Sequence, residues 1–211
     1  MSVPSRQQGA ARRGAARRRR VRRVTALATI VALVVIGVVV VPPLFQKAIR
    51  LFTLPLEYSS IIRQQAHDQR VDAALIAAVI DTETGFDART SPTGAEGLMQ
   101  IEPATATFLA HRSGGTAFNV NDLGQPQVNI EYGTYYLAYL LENYGGDETA
   151  ALSAYNGGQT NTNRWIGQAH AHGHAFELDD IPFPQTRAYV QTVEKRQVSY
   201  RANYPVALGY R

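Results

Sequence analysis

The stretch VDAALIAAVIDTETGF, residues 71–86, decides the fold. Its large apolar residues recur at helical spacing, at Leu75, Ile76, Val79 and Ile80. The alanines between them keep the helix narrow, and Asp72 is a candidate N-cap. The pattern predicts a buried helix from Val71 to Thr84.

Glu83 continues the apolar face of this helix. A carboxyl group in such a place loses solvation, which raises its pKa, and the negative end of the helix dipole acts in the same direction. A carboxylic acid that stays protonated near neutral pH can donate a proton. Glu83 is therefore a candidate catalytic acid. The competing interpretation is an ordinary glutamate that faces water beyond the helix end.

Charge is distributed unevenly along the chain. Nine of the 21 Lys and Arg residues lie in the first 23 positions, whereas all 17 Asp and Glu residues follow them. The remainder of the chain is therefore net acidic, and we expect it to bind no nucleic acid. The chain has no cysteine, so the folded part is stabilised without disulfides.

An uncharged run, VTALATIVALVVIGVVVV, begins directly after the arginines, at Val24. It is long enough to span a bilayer, and the arginines before it predict that the N-terminus is cytoplasmic. We expect a basic cytoplasmic tail (1–23), a single transmembrane anchor (24–45), a linker (46–58) and an extracytoplasmic domain (59–211), which places the protein in the cell membrane. A cleaved signal peptide is the competing interpretation, but no clean small-x-small site follows the run.

The domain from Ser59 onward is predicted to be all-α, with long polar loops. Helical patterns cover residues 59–66, 71–84, 103–109, 128–144, 148–155 and 186–204. Strand signals are sparse, and only residues 94–101 predict a small extended or hairpin element. We find no internal repeat.

Several short motifs follow Glu83 in a fixed order. They are Glu-Thr-Gly-Phe from Glu83, Ser-Pro-Thr-Gly-Ala from Ser91, Gly-Leu-Met-Gln-Ile from Gly97 and Ala-Tyr-Asn-Gly-Gly from Ala154. Two later segments belong to the same series: Asn129-Ile130 with Gly133 and Tyr136-Leu137, and Ile181-Pro-Phe with Thr186-Arg187 and Tyr189-Val190. Together they resemble the catalytic domain of the soluble lytic transglycosylases, glycoside hydrolase family 23, over about residues 59–204. That family has an α-helical, lysozyme-like fold.

The resemblance implies a function and a site. Glu83 matches the family's catalytic glutamate, and the positions expected to contact the glycan are Ser91, Met99, Gln100, Tyr155 and Asn156. We add Glu131 to the substrate-contacting set, although its helix could equally turn it to water. The implied substrate is the peptidoglycan glycan strand, and the implied product is a 1,6-anhydro-muramoyl end. No metal or cofactor is implied, and no protein partner is indicated.

Two positions depart from the family pattern. Glu102 stands where a hydrophobic residue is common, and Gln185 stands where glutamate is frequent. Glu102 could replace the lost carboxylate or cap the helix that begins at Pro103, and the cap is the favoured interpretation. Asp81 is expected to be solvated. Asp87 lies in the turn after Glu83, and its spacing from Glu83 is too unspecific to indicate a second catalytic carboxylate. The tract of His170, His172 and His174 lies in a predicted loop without fixed geometry, so we predict no metal site there.

Two other functions stay open at this point. A lysozyme-type hydrolase would use the same fold with water as the nucleophile. A non-catalytic peptidoglycan-binding module would keep Glu83 for structural reasons. The chemistry of the released ends separates these possibilities.

Overall fold

The computed structural model describes Gly37, residues 54–114 and residues 118–210. The predicted basic tail (1–23), the transmembrane anchor (24–45) apart from Gly37, and most of the linker (46–58) lie outside the described residues. None of the helices that are described is long and apolar enough to cross a membrane.

The domain is a succession of helices. In chain order they are α1 (Ser59–Gln69), α2 (Ala73–Glu83), α3 (Pro103–Ser113), a 3₁₀ helix (Val120–Gly124), α4 (Pro126–Asn143), α5 (Glu148–Gly157), α6 (Gln159–Ala171), a second 3₁₀ helix (Leu178–Asp180) and α7 (Pro184–Asn203). Within the described ranges, the paired extended backbone is a single antiparallel bridge between Glu96 and Ile101. The prediction of an all-α domain is confirmed, and the predicted hairpin is reduced to this bridge.

Helix α2 is the central element of the domain. Every residue from Ala73 to Asp81 is buried, as expected for a helix that is apolar nearly all round. Asp72 caps it as predicted, because its Oδ1 accepts a hydrogen bond from the Leu75 amide at 2.9 Å. The other Asp72 oxygen pairs with Arg201 at 2.6 Å. The start of α2 is thereby joined to the end of α7.

Helices α7 and α1 pack against α2. Helix α5 packs against α4, α6 and α7, and α1 also contacts α4. The hydroxyls of Tyr200 and Tyr204 donate to the carbonyls of Pro55 and Leu54. The folded unit therefore includes Leu54 and Pro55, which lie a few residues before Ser59 and inside the predicted linker.

The expectation that Asp81 is solvated is wrong. Its exposed fraction is 8%, and its carboxylate pairs with Arg196 of α7 at 3.1 Å. Burial raises the pKa of Asp81, whereas Arg196 and the Tyr200 hydroxyl lower it. Both faces of α2 are covered because α7 lies on the side that the apolar pattern left open.

Helix α6 was not predicted. Its sequence, QTNTNRWIGQAHA, is mostly polar, and its buried residues are Thr162, Trp165 and Ala169. They lie on one face at spacings of three and four, so a narrow stripe suffices to hold the helix against α5. The histidine tract therefore begins in the last turn of α6 and does not lie wholly in a loop.

Candidate active site

A cleft of about 530 Å³ opens where α2 ends. Its lining comes from α2, the loop that follows, the start of α3, α4, α5 and the start of α7. It includes Glu83, Ser91, Gln100, Glu102, Thr105, Tyr136, Tyr155, Asn156 and Gln185. Residues from four separate sequence blocks therefore meet around one carboxyl group. The motifs that follow Glu83 in sequence also surround it in space.

The Glu83 carboxyl is held in a poorly solvated place. Burial raises its pKa from 4.5 to about 7, while the nearby hydroxyl of Tyr189 and guanidinium of Arg89 lower it. Loss of solvation is the largest of these effects, as the sequence predicted. Near neutral pH the group therefore exists in both the protonated and the ionised form, so it can give a proton and take one back.

The end of α2 is fixed by two side chains. Arg89 donates to the carbonyl oxygens of Glu83 and Thr84, at 2.6 and 3.2 Å, and so satisfies backbone acceptors that the helix leaves open. The Thr84 hydroxyl lies 2.8 Å from the Leu98 carbonyl oxygen, to which it donates. These bonds orient the backbone that carries Glu83 and join it to the loop on the other side of the cleft.

Tyr189, on α7, lies beside Glu83. Its hydroxyl is buried and has no well-aligned hydrogen-bond partner among the described residues. The same hydroxyl lies near enough to lower the pKa of Glu83, and Glu83 in turn contributes to a raised pKa of Tyr189. A buried hydroxyl with spare hydrogen-bonding capacity therefore faces the carboxyl from within the protein.

Asn129 of α4 holds the loop that forms one wall of the cleft. Its side-chain oxygen accepts from the Met99 amide at 2.7 Å, and its side-chain nitrogen donates to the carbonyls of Glu96 and Leu123 at 2.8 and 2.9 Å. Gly97 lies against it with φ +75°, and a Cβ there would stand 2.2 Å from the Asn129 amide nitrogen. This contact is why the block begins with glycine.

The ring of Tyr155 forms another wall. Its hydroxyl donates to the Met99 carbonyl at 2.8 Å, and its ring lies 5.3 Å from that of Tyr136. The Met99 side chain has no exposed surface and packs against Gly133, where a Cβ would come within 2.4 Å of the Met99 sulfur. Tyr155 is thus held by the backbone of the loop, and the loop is held by a buried methionine.

Most of the predicted contact residues line this cleft, but two do not. Ser91, Gln100, Tyr155 and Asn156 lie around Glu83. Met99 is buried beneath the surface, so it supports the cleft without presenting its side chain to it. Glu131 is exposed and lines a separate cavity of about 330 Å³ with Gln69, Ser113, Tyr132 and Tyr135. The assignment of the Met99 and Glu131 side chains to the cleft surface is corrected by these positions.

Glu102 and Gln185 both line the cleft. Glu102 occupies the N-cap position of α3, but its side chain makes no capping hydrogen bond within the described residues. The favoured interpretation of Glu102 as a cap is therefore wrong. The cleft contains a carboxylate at Glu102 and an uncharged amide at Gln185.

Three residues of the site were not singled out from the sequence. Tyr136 and Tyr189 belong to the series of motifs, but neither was given a role at the site, and Arg89 was only part of a polar loop. A tyrosine in a helical motif can be a core residue or a site residue, and the sequence does not separate the two. No local signal indicates that Arg89 turns back onto the end of α2.

The histidine tract lies apart from the cleft. His174 lies 3.7 Å from Asp180, and the rings of His172 and His174 are 6.5 Å apart. Among the described residues, no group of three or more His, Cys, Asp or Glu side chains is placed to hold a metal ion.

Similar proteins place the cleft in a known family. The transglycosylase SLT domain family matches residues 60–175. The soluble lytic murein transglycosylase of Escherichia coli K12 is 30% identical over 158 residues, which cover 74% of this chain and 24% of that protein. The membrane-bound lytic murein transglycosylase C of Edwardsiella ictaluri is 31% identical over 168 residues, which cover 69% of this chain and 46% of that protein.

Solved structures agree in fold. The 70 kDa soluble lytic transglycosylase of Escherichia coli superimposes with a TM-score of 0.66 at 28% identity, over 71% of this chain and 25% of that one. A lytic transglycosylase of Pseudomonas aeruginosa, solved as an inactive glutamate-to-glutamine mutant, gives a TM-score of 0.64 at 27% identity over 71% of this chain and 24% of that one. The chain thus spans about a quarter of its soluble relatives and under half of the membrane-bound one. The match over more than half of its residues, the all-helical lysozyme-like fold and the ordered motifs around Glu83 lead to one conclusion: the chain belongs to the transglycosylase SLT domain family.

Proposed function

We propose that this protein is a peptidoglycan lytic transglycosylase of glycoside hydrolase family 23. It cleaves the β-1,4 bond between N-acetylmuramic acid and N-acetylglucosamine, and Glu83 is its acid and base. The observation that carries the proposal is a carboxyl group with a pKa of about 7 inside a cleft lined by the family's motifs. The names of its relatives, lytic murein transglycosylases, support the same activity.

In the first step Glu83 acts as an acid. Its proton goes to the oxygen that links C1 of the muramoyl residue to the next sugar, and the C1–O bond breaks. The leaving sugar keeps the bonding electrons and departs as an alcohol. Positive charge develops at C1, and the neighbouring 2-acetamido oxygen of the substrate stabilises it. Glu83 is left as a carboxylate, which the Tyr189 hydroxyl and Arg89 are placed to favour.

In the second step Glu83 acts as a base. It removes the proton of the muramoyl 6-hydroxyl, whose oxygen bonds to C1 and closes the 1,6-anhydro ring. The proton returns to Glu83, and no water is consumed. A single group can serve in both steps when its pKa lies near the working pH, because neither form then dominates.

The remaining cleft residues position the glycan in this proposal. Tyr155 offers a ring face to the apolar side of a sugar, and Asn156 and Gln100 offer amides to hydroxyl or acetamide groups. The Gln100 amide nitrogen already donates to the carbonyls of Arg89 and Gly97, at 2.7 and 2.8 Å. This arrangement leaves the Gln100 side-chain oxygen as the group that can accept from a ligand. Ser91 lies at the same surface.

Substitution of the carboxyl group tests the proposal. The full-length Glu83→Gln variant, purified in mild detergent, should clear peptidoglycan at a rate about 100-fold or more below wild type, since general acid-base catalysis contributes at least this much. Glu131→Gln is the matched control, because it makes the same chemical change outside the cleft. Glu83→Gln at a near wild-type rate would remove Glu83 from the mechanism.

The location of the protein is a second part of the proposal. We propose that residues 24–45 anchor it in the cell membrane, with residues 1–23 in the cytoplasm and the domain from about residue 59 outside. The uncharged run behind nine arginines supports this arrangement, as does the resemblance to a protein named membrane-bound. Full-length protein should stay in membranes after an alkaline carbonate wash. Its release by the wash would contradict the anchor.

A further inference from the structure

A second cleft adjoins the one that contains Glu83. It has a volume of about 370 Å³ and is lined by Ala104, Thr105, Phe108, Tyr136, Tyr139 and Gln159. Thr105 and Tyr136 line both clefts. The two are therefore adjacent, and a polymer that extends from the first cleft past Thr105 and Tyr136 reaches the second.

Phe108 is the exposed part of the second cleft. Its side chain is 45% exposed, and it lies with the half-buried rings of Tyr136 and Tyr139, so it belongs to an aromatic patch and is not an isolated surface residue. The ring meets that of Tyr139 edge to face, with centroids 5.5 Å apart and an angle of 63° between the planes. Tyr139 is itself covered by the Arg112 guanidinium, 4.8 Å from its ring centroid. Phe108 thus contacts Tyr139 on one side and is open to solvent over nearly half of its surface.

The aromatic strip, defined as Tyr155, Tyr136, Tyr139 and Phe108, connects the two clefts. Neighbouring ring centroids along it are 5.3, 6.3 and 5.5 Å apart. These distances are those of aromatic rings in contact. The strip begins beside Glu83 and ends at Phe108 without a gap.

The chemistry of the second cleft selects one kind of occupant. The described residues that line it carry no charge, and Arg112, which lies over the Tyr139 ring, is not among them. The contact surface is therefore made of uncharged groups and suits a neutral ligand. It combines aromatic rings with the amide of Gln159 and the hydroxyl of Thr105. A sugar ring has the matching properties, since its C–H face packs on an aromatic ring while its hydroxyls bond to amides and hydroxyls.

We infer that Phe108 is a platform for a sugar ring of the same glycan strand, beyond the units held in the cleft with Glu83. The protein therefore prefers long glycan strands to short ones. This inference rests on the proposed function for the identity of the strand. It adds a binding site on α3, α4 and α6 that the motifs around Glu83 do not include.

The test compares two lengths of peptide-free glycan, of four and of twelve sugars, as substrates of the full-length protein. The quantity measured is the ratio of kcat/KM for the long strand to that for the short one. Phe108→Leu keeps an apolar side chain but removes the ring, and it should lower this ratio about threefold to tenfold. Phe108→Trp should keep the ratio near wild type. Val206→Ala is the control, because Val206 is 85% exposed and lines neither cleft.

Two results would overturn the inference. One is an equal loss on both lengths with Phe108→Leu, and the other is no loss on either. If the wild-type protein cleaves neither strand, the proposed function is contradicted, but the inference about Phe108 is not. In that case the role of Phe108 is tested by the binding of fluorescently labelled strands to Glu83→Gln. The preference for twelve sugars over four should fall when Phe108→Leu is added. An unchanged preference would refute the platform.

Discussion

The raised pKa of Glu83 has a consequence for stability that Glu83→Gln exposes. An acid whose pKa is higher in the folded than in the unfolded state binds more protons when folded, so stability falls as pH rises between the two values. For Glu83 these values are 4.5 and about 7. The full penalty is present above pH 7 and absent below pH 4.5. A shift of this size corresponds to about 3 kcal/mol, because one pKa unit is ~1.4 kcal/mol.

Glutamine carries no such penalty at any pH. We therefore expect Glu83→Gln to raise the free energy of unfolding at pH 8 by about 2–3 kcal/mol relative to wild type, and to leave it nearly unchanged at pH 4. The lower bound allows for the partial contact of the carboxyl with water in the cleft. A variant that loses activity would thus gain stability, as expected when a functional group is kept in surroundings that destabilise its charged form.

Urea unfolding of the full-length protein in mild detergent measures this difference. The only tryptophan of the sequence, Trp165, is 1% exposed and reports on the core. Glu131→Gln, on an exposed side chain, should behave as wild type at both pH values. If Glu83→Gln were neutral or destabilising at pH 8, burial would not be holding Glu83 in its protonated form, and the acid-base assignment would lose its physical basis.

Three further predictions concern the surroundings of Glu83. Activity should fall as pH rises through about 7, where the acid form of Glu83 is lost. Tyr189→Phe should move this fall to higher pH, because the Tyr189 hydroxyl lowers the pKa of Glu83. A pH–rate profile that does not shift would contradict the contact between the two side chains. Asn129→Leu should lower the free energy of unfolding by about 2–4 kcal/mol, because the Met99 amide and the carbonyls of Glu96 and Leu123 lose their hydrogen-bond partner. Asn121→Leu, at an exposed position, is the control in the same urea titration. Chelation of divalent metals should leave the rate of peptidoglycan clearance unchanged, and loss of activity with EDTA that added metal restores would show a metal requirement.

The sequence predicted the central helix and its carboxyl group well. Helix α2 is recognisable because its signals are local: an N-cap at Asp72, an uninterrupted apolar run and an acid on the same face. The order of the motifs predicted which loops meet at Glu83, and four of the six proposed contact residues line its cleft. These features depend on nearby residues or on a resemblance carried by short motifs.

The remaining features depend on distant residues. Asp81 looked solvated because its partner, Arg196, belongs to a helix more than a hundred positions later. Met99 belongs to a motif at the cleft, but a pattern of letters does not separate a residue that contacts a ligand from one that supports the wall. Helix α6 was missed because its buried face is only three residues wide and one of them, Thr162, is polar, so the stripe is too weak to stand out in a mostly polar sequence. The aromatic strip joins residues from three helices and has no signal in any one of them.

The central claim is that Glu83 directs an internal hydroxyl, and not water, to the muramoyl C1. Digestion of peptidoglycan by the full-length protein in ¹⁸O-labelled water, followed by mass spectrometry of the fragments, tests it most directly. The account predicts fragments that lack one water relative to reducing ends, carry no ¹⁸O and disappear with Glu83→Gln. Reducing ends that carry ¹⁸O would show a lysozyme-type hydrolase and contradict the account.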